Sequence, residues 1–205
     1  ETGKGDIACE HVVLATGFFS PRVGEWMGLR IPTVNMVHQF LVTESVPQLA
    51  ALEKRLPIVR DPTSHSYFRH DQDGLLGGPY EDEGVQSVYH DGVPWSFESE
   101  LLTPELDRIS PWLDLMMDRM PLFKNAGVKN VVAAFIAHAP DVSPLVGPAP
   151  GHANLWLACG AAGGIAQGPG CGKALAQWMV HGAAELNMQA MDPRRYGEVH
   201  TDDWV

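Results

Sequence analysis

Alternating and continuous apolar runs predict several strands in the first half of the chain. Residues 11–17 form a short apolar run closed by glycine, which is typical of a strand buried on both faces. Residues 34–43 alternate and are rich in strand-forming side chains, so we predict a second strand there. Two strands around 66–70 and 75–79 are joined by residues 71–74, which end in Asp-Gly and predict a hairpin.

Three segments predict helices. Residues 47–56 have apolar side chains at helical spacing after an initial proline, and the expected apolar face consists of Leu49, Leu52 and Leu56. A second helix is predicted from Thr103, as the N-cap, to about Met120, with a kink or a break at Pro111. The last helix is predicted from 169 to 180. Its apolar face would consist of Cys171, Leu175, Trp178 and Met179.

The remaining segments complete an α+β pattern. Residues 128–137 and 155–160 predict two more apolar strands, and the polar stretch 82–99 predicts a loop. Residues 140–151 contain four prolines and two glycines, so we expect an extended loop there. The order of these elements predicts a mixed sheet, largely antiparallel, with helices.

Composition and charge exclude some classes of partner. The 205 residues are 45% hydrophobic and 19% charged, which is typical of a globular protein with one large or two small domains. The formal net charge of −11 disfavours binding to nucleic acid or to an anionic membrane surface. A run of about 18 apolar residues is absent, so we expect no membrane span. Cys9, Cys159 and Cys171 form no metal-type pair and are expected to be reduced, structural thiols.

The beginning of the chain does not resemble a secretory signal. Residues 1–6 are polar and glycine-rich, and they lead directly into the first predicted strand, as though the chain were entered midway. We therefore expect a piece of a larger protein. We expect this protein in the cytoplasm or, in a eukaryote, in the mitochondrial matrix.

The segment 159–173 is the strongest indication of a ligand site. It has six glycines in fifteen residues, between an apolar strand and a helix. Backbone N–H groups can approach a ligand there, and a helix N-terminus favours an anion or a polarised carbonyl. Tight packing between helix and strand is the alternative explanation. The segment is not a nucleoside-triphosphate loop, because Gln167 stands where the first glycine is required and Ala174 where a hydroxyl is required.

Taken together, these segments resemble the D-amino-acid-oxidase superfamily of FAD-dependent oxidoreductases, in its dimethylglycine and sarcosine dehydrogenase branch. The resemblance extends from about Val12 to Gly197. The segments that carry it, in chain order, are residues 12–20, 34–47, 57–70, 73–81, 140–148 and 160–182.

The resemblance implies a division of the chain. Residues 1–31 would close the FAD-binding domain, residues 32–137 would form the substrate-binding domain, and residues 138–205 would contain the FAD-contacting loop, the final helix and the tail. The implied fold is a largely antiparallel substrate-domain sheet plus the closing strand and helix of an incomplete Rossmann-like domain. The family's G-x-G-x-x-G turn, flavin-linking histidine and folate-binding domain are not found in this sequence.

The resemblance also implies site residues. Those expected beside FAD are Ala15, Gly17, Phe19, Gly160, Ala161, Ala162, Gly163, Gly164 and Ile165. The backbone amides of 163–165 would stabilise negative charge on the flavin. His38 and Tyr67 are the implied catalytic residues, since a histidine with an ordinary pKa of about 6.5 is suited to act on the substrate amine. A strand histidine bonded to a backbone carbonyl is the alternative.

Two further interpretations concern the arginine and the histidines near the predicted hairpin. Arg69 shares the strand face of Tyr67, so it is a candidate for binding a substrate carboxylate, with a solvated arginine as the alternative. His65 and His70 lie near Asp71 and Asp73, but strand spacing places the two histidines on opposite faces, so we expect no metal site.

The function implied is oxidation of a secondary or tertiary N-methyl amine of the glycine type, with FAD as hydride acceptor. The expected partner is this small-molecule amine. Two alternatives remain open from the sequence: a truncated module that binds no flavin, and one chain of a split flavoenzyme whose partner chain supplies the missing segment. An exposed apolar patch at the place where the missing half would pack would fit either a partner chain or self-association.

Overall fold

The computed structural model describes residues 2–197. The strands, in chain order, are β1 (Val12–Leu14), β2 (Val34–Thr43), β3 (Val59–Asp61), β4 (Ser66–Asp71), β5 (Gly74–Pro79), β6 (Ser87–Val88), β7 (Val128–His138), β8 (Leu145–Pro148) and β9 (Leu155–Cys159). The α-helices are α1 (Ser20–Glu25), α2 (Pro47–Ala50), α3 (Leu106–Arg119) and α4 (Gly164–His181). Short 3-10 helices occur at Gly17–Phe19, Pro121–Asn125 and Pro193–Tyr196. The predicted mixture of helices with a largely antiparallel sheet is confirmed.

The chain divides into two compact units. The described residues of the first unit are 2–35, 88–96 and 136–197, and those of the second are 36–87 and 97–135. The division into functional domains at residues 31 and 137 stays a prediction.

A three-stranded sheet organises the first unit, in the order β1-β9-β8. β1 is parallel to β9, and β8 is antiparallel to it. The prediction that β1 is buried on both faces is wrong, because Val12 and Val13 are 41% and 42% exposed. Within the described residues, β9 is the one neighbour of β1 in the sheet, so β1 is an edge strand.

The proline-rich segment 140–151 is not wholly a loop, because it contains β8. Pro148 is the last residue of this strand, where a missing backbone N–H interrupts no ladder. Val146 is buried and donates its backbone N–H to the carbonyl of Met191, at 2.8 Å. β8 is therefore held on one side by β9 and on the other by the segment that follows α4.

Helix α4 begins five residues earlier than predicted, at Gly164 rather than Pro169. Pro169 lies in its second turn and removes one N–H donor, but burial of Ala174 and Leu175 against Val146 stabilises the helix as a whole. The predicted apolar face is confirmed, because Cys171, Trp178 and Met179 pack against the same cluster.

The second unit is built on a sheet in the order β3-β4-β5-β2-β6, with β7 also paired to β2. The predicted strand 34–43 and the hairpin are confirmed. The two central residues of the hairpin turn are Gln72, which has a φ of 55°, and Asp73. The main core lies on one face of this sheet and consists of Leu41, Val46, Leu49, Phe68, Leu75, Met116 and Phe123.

The helix boundaries of the second unit differ from the sequence prediction. α2 is a single turn, and Leu52 and Leu56 are exposed, because Pro57 disfavours helix at Leu56 and the N–H of Leu56 bonds to Nδ1 of His70. α3 begins at Leu106, and Thr103 does not cap it. Residues 82–99 include the short strand β6, which was not predicted.

Pro111 does not break α3. An N–H at position 111 would bond to the carbonyl of Asp107, and this carbonyl instead accepts the hydroxyl of Ser110 at 3.0 Å. The neighbouring side chain thus satisfies the acceptor that the proline leaves vacant, and the predicted kink or break is wrong.

Candidate active site

The first unit brings two of the predicted flavin-contacting turns together. β1 and β9 are parallel, with Leu14 beside Leu157, so the turns that follow them leave the same edge of the sheet. Ala15 and Gly17 belong to the first turn and Gly160 to the second. Ligands of open sheets with parallel strands bind outside this edge.

A buried contact joins these two turns. Ser20 follows the first turn and hydrogen-bonds the side chain of Cys159, the residue before the second. Its hydroxyl also lies 3.0 Å from that of Thr16. Burial raises the pKa of the Cys159 thiol to about 11, so the thiol stays protonated and fits the predicted structural role. Cys9, by contrast, is exposed.

The N-terminus of α4 is open. Gly163 is its N-cap, and no side chain of residues 2–197 caps it there. Gly164 and Ile165 are the first two helical residues, and Ile165 is 100% exposed. The first amides of a helix have no intrahelical acceptor, so they present donors and a partial positive charge to solvent.

The space around this helix start is open at Gly164 and closely packed at Gly160. Gly160 has a φ of 65°, and a Cβ there would lie 3.1 Å from Thr33, so backbone conformation and packing already require this glycine. A Cβ at Gly164 would meet no atom within 4 Å. Oε1 of Gln167, in the first turn, is buried and has no hydrogen-bond partner among the described residues. The exposed amides at this helix start are therefore suited to donate to a ligand that carries carbonyl oxygens.

Phe19 packs in an aromatic stack of the first unit. Its ring lies 5.4 Å from that of Trp95, with an interplanar angle of 14°, and Trp26 stacks on Trp95 at 5.3 Å. The Arg22 guanidinium lies 4.3 Å from the Trp95 centroid and donates to the carbonyl of Val93 at 2.7 Å. The stack orients Phe19, whose contact with flavin stays a prediction, as it does for Ala161 and Ala162.

In the second unit the structure joins the two predicted catalytic residues. His38 on β2 and Tyr67 on β4 are both half-buried, on the sheet face opposite to the Leu41 and Phe68 side chains. Nε2 of His38 lies 3.1 Å from the hydroxyl oxygen of Tyr67. A histidine and a phenol in hydrogen-bond contact can exchange a proton.

Tyr80 is a third member of this group that sequence reasoning missed. Its ring stacks on His38 at 5.6 Å and lies 5.4 Å from Tyr67. Burial raises the pKa of Tyr67 to about 12, and Tyr80 adds to the effect, whereas Arg69 opposes it. Tyr67 therefore keeps its proton at neutral pH. Leu41 is opposite Gly77, and continuing that register aligns position 38 with position 80, a signal available only once the strands are paired.

Two arginines lie on the same face. Arg69 pairs with Asp71, at 3.1 Å between Nη2 and Oδ1. Arg60 is opposite Tyr67 in the β3–β4 register, and its guanidinium lies 4.6 Å from the Tyr80 centroid. The role of Arg69 in binding a carboxylate stays a prediction, and sequence reasoning did not single out Arg60.

The other features of the second unit add no residue to the group around His38 and Tyr67. A cavity of about 980 Å³ is lined by residues at the start of α3 and of β7, among them Glu105, Arg108 and Lys129, and by none of the predicted site residues. No group of three or more His, Cys, Asp or Glu residues within positions 2–197 is arranged to hold a metal ion.

Comparison with known proteins identifies the family. The profile of the DAO family, described as FAD dependent oxidoreductase, matches residues 1–178. The chain belongs to the DAO family. FAD is therefore the cofactor that the family implies for this chain, and the open amides at the start of α4 are donors suited to its carbonyl oxygens.

Two relatives of this DAO-family chain are mitochondrial dehydrogenases of small amines. Over 100% of its length the chain is 39% identical to mouse (Mus musculus) dimethylglycine dehydrogenase, of which it covers 24%. It is 32% identical, again over 100% of its length, to mouse sarcosine dehydrogenase, of which it covers 22%. The chain thus spans about a quarter of the length of these two relatives.

A solved structure confirms the fold of the DAO-family chain. The L-proline dehydrogenase from P. horikoshii superposes with a TM-score of 0.73 and 21% sequence identity, over 95% of this chain and 49% of that one. The helices in the described part of the chain are too short or too polar to cross a membrane.

Proposed function

We propose that the chain is part of an FAD-dependent oxidoreductase that oxidises a secondary or tertiary N-methyl amine of the glycine type, such as dimethylglycine or sarcosine. The observation that carries this proposal is the contact between His38 Nε2 and the Tyr67 hydroxyl on the half-buried face of the second unit. The similarity to dimethylglycine and sarcosine dehydrogenases supports it.

The residues of the second unit prepare the amine. An ammonium nitrogen has no lone pair to support loss of hydride from the adjacent carbon, so its proton must leave first. The Tyr67 hydroxyl is protonated at neutral pH, and in the proposed arrangement it donates to an unprotonated Nε2 of His38, which lies 3.1 Å from its oxygen. When the ammonium transfers a proton to the Tyr67 oxygen, the phenol proton passes to His38, and Tyr67 ends the step neutral. The histidine is thus the base and the tyrosine the relay.

The residues of the first unit would hold the cofactor. FAD, when bound, would supply the acceptor for the hydride that leaves the carbon next to the nitrogen. The amides of Gly163, Gly164 and Ile165 would hold the flavin and would favour negative charge on it, because they are fixed at a helix N-terminus and the helix dipole adds to their effect. The remaining contacts come from Ala15, Gly17, Phe19, Gly160, Ala161 and Ala162. The iminium product, whose carbon has lost the hydride, is then hydrolysed by water.

Partners and location are part of the same proposal. The exposed Val12 and Val13 on the edge strand β1 support pairing with further polypeptide, either an FAD-binding segment of the same protein or a partner chain. The absorption spectrum of this chain with and without added FAD tests whether it binds flavin alone. The mitochondrial location of the relatives supports the mitochondrial matrix, or the cytoplasm in an organism without mitochondria.

The experiment compares amines on the FAD-loaded, full-length protein. We expect turnover of dimethylglycine or sarcosine well above that of glycine, and loss of about 100- to 10,000-fold in kcat/KM for His38→Ala. His90→Ala, which changes an exposed histidine, is the matched control. Absence of turnover with every N-methyl glycine, or unchanged turnover in His38→Ala, would refute the proposal.

A further inference from the structure

Arg60 is connected to the catalytic pair through one aromatic ring. Its guanidinium lies 4.6 Å from the centroid of Tyr80, and Tyr80 stacks on His38 with 5.6 Å between the ring centroids. Arg60 is also directly opposite Tyr67 in the pairing of β3 with β4. A cation is thus held on the same face as the residues that handle the amine.

Arg60 has no anionic partner among residues 2–197, a property that it shares with Arg55, but only Arg60 of these two has a described contact with the aromatic group of His38, Tyr67 and Tyr80. Three other arginines of the second unit each form an ion pair: Arg69 with Asp71, Arg108 with Glu81 and Arg119 with Asp61. Within residues 2–197 no carboxylate lies in ion-pair range of Arg60. A guanidinium stacked on a ring keeps its N–H donors in its own plane, where they can bind a carboxylate in bidentate geometry.

We propose that Arg60 binds the carboxylate of the substrate and that Tyr80 positions the guanidinium for it. This inference rests on the proposed function and names the residue that selects amino acids over simple amines. In a glycine-type substrate one carbon separates the nitrogen from the carboxylate, so the two groups need binding sites that are neighbours on one face. His38 with Tyr67 and Arg60 with Tyr80 supply such sites.

Arg69 is the competing candidate, and its surroundings make it the weaker one. The carboxylate of Asp71, at 3.1 Å, already accepts from Nη2 of Arg69. A substrate carboxylate would have to displace Asp71 or approach a pair whose net charge is zero. Arg60 needs neither rearrangement, because its described contact is with a neutral ring.

The test compares a substrate with its uncharged analogue in the FAD-loaded, full-length protein. Dimethylglycine and its amide, 2-(dimethylamino)acetamide, differ in the negative charge and share the N-methyl amine. For Arg60→Leu we expect kcat/KM for dimethylglycine to fall about 10- to 100-fold, mainly through KM, with less than about threefold change for the amide. Arg60→Lys should recover part of the lost kcat/KM for dimethylglycine, because lysine keeps the positive charge but cannot bind a carboxylate in bidentate geometry. Arg55→Leu, at another exposed arginine, is the matched control.

A binding measurement separates this inference from catalysis. Trimethylglycine keeps the carboxylate and has no proton on nitrogen to lose, so its Kd, read from the change in flavin absorption, reports on carboxylate recognition. Arg60→Leu should raise this Kd by the same 10- to 100-fold. An equal loss for both substrates, an unchanged Kd, or a loss in Arg69→Leu without one in Arg60→Leu would overturn the assignment. If the wild-type protein oxidised neither substrate, yet its Kd for trimethylglycine rose in Arg60→Leu, the proposed function would fail and the carboxylate site would stand.

Discussion

The phenol ring of Tyr67 lies across Gly78 of the neighbouring strand. The two residues are directly opposite in the pairing of β4 with β5, and a Cβ atom at position 78 would lie 2.5 Å from the Tyr67 hydroxyl oxygen. The absence of a side chain at Gly78 is what allows this oxygen to reach His38. The glycine therefore sets the geometry of the proposed proton relay.

Gly78→Ala should impair activity with little loss of stability. The added methyl group meets the outer end of the Tyr67 side chain, which can swing away, so the hydrogen bond to His38 breaks while the core is unchanged. We expect kcat/KM for the amine to fall at least about tenfold and the free energy of unfolding to change by about 1 kcal/mol or less. Steady-state kinetics and urea denaturation measure the two quantities.

The adjacent glycine provides the matched control. Gly77 faces the opposite side of β5, where an added Cβ would lie 2.5 Å from Met116 and 2.7 Å from Phe123 in the core. Gly77→Ala should therefore cost about 1–3 kcal/mol of stability through overpacking. Loss of stability in Gly78→Ala comparable to that in Gly77→Ala, or unimpaired turnover in Gly78→Ala, would contradict this account of Tyr67.

A negative charge at the start of α4 should weaken FAD binding. Ile165 is 100% exposed, so Ile165→Glu leaves the packing of the helix intact while it places a carboxylate beside the amides proposed to contact the flavin. We expect the Kd for FAD of the full-length protein, measured by flavin fluorescence, to rise several-fold, corresponding to about 1 kcal/mol. Val180→Glu introduces the same charge at an exposed position near the other end of the helix and should leave the Kd unchanged. Equal effects of the two variants would remove the helix start from the flavin site.

The Asp141–Arg195 pair should make the first unit sensitive to acid. Arg195 donates to both carboxylate oxygens of Asp141 at 2.8 Å, and this interaction holds the pKa of Asp141 well below its usual range. A carboxyl whose pKa is lower in the folded state stabilises the fold above its unfolded pKa, about 3.9, and this contribution is lost as the pH falls further. Since the pair is partly exposed, about 1 kcal/mol is the expected scale.

Urea denaturation at pH 6 and at pH 3 measures this contribution. Asp141→Asn should be less stable than the wild type at pH 6, and it should lose less stability than the wild type when the pH falls from 6 to 3. Asp114→Asn, at an exposed carboxylate of α3, is the control and should keep the wild-type difference. The same loss in Asp141→Asn as in the wild type would show that other carboxylates dominate the acid response.

Local sequence patterns were sufficient to predict those elements whose packing partners favour the same structure. The strand 34–43 was predicted with its observed bounds because its alternation matches a sheet with one core face and one half-buried face. The hairpin of β4 and β5 was predicted from a turn sequence, although the turn is centred one residue earlier than Asp-Gly. Gly74 is needed for another reason, since a Cβ there would lie 2.7 Å from the carbonyl of Glu44.

Features that depend on distant contacts were missed. The helical spacing of Leu52 and Leu56 is real, but the accepting nitrogen of His70 and the effect of Pro57 end α2 after one turn. The early start of α4 depends on packing of its later turns. His38 and Tyr67 were expected from family resemblance, whereas Tyr80 and Arg60 became visible only through strand register and ring contacts.

Anaerobic reduction of the bound flavin tests the central claim most directly. When the FAD-loaded, full-length protein is mixed with dimethylglycine or sarcosine without oxygen, we expect the visible flavin absorption to bleach, because hydride passes from the N-methyl amine to the cofactor. In the His38→Ala variant, the rate of flavin reduction should be lower by a factor of at least about 100. Flavin absorption that stays unchanged with both amines, in a wild-type protein that holds FAD, would contradict the assignment as an oxidoreductase of N-methyl amines.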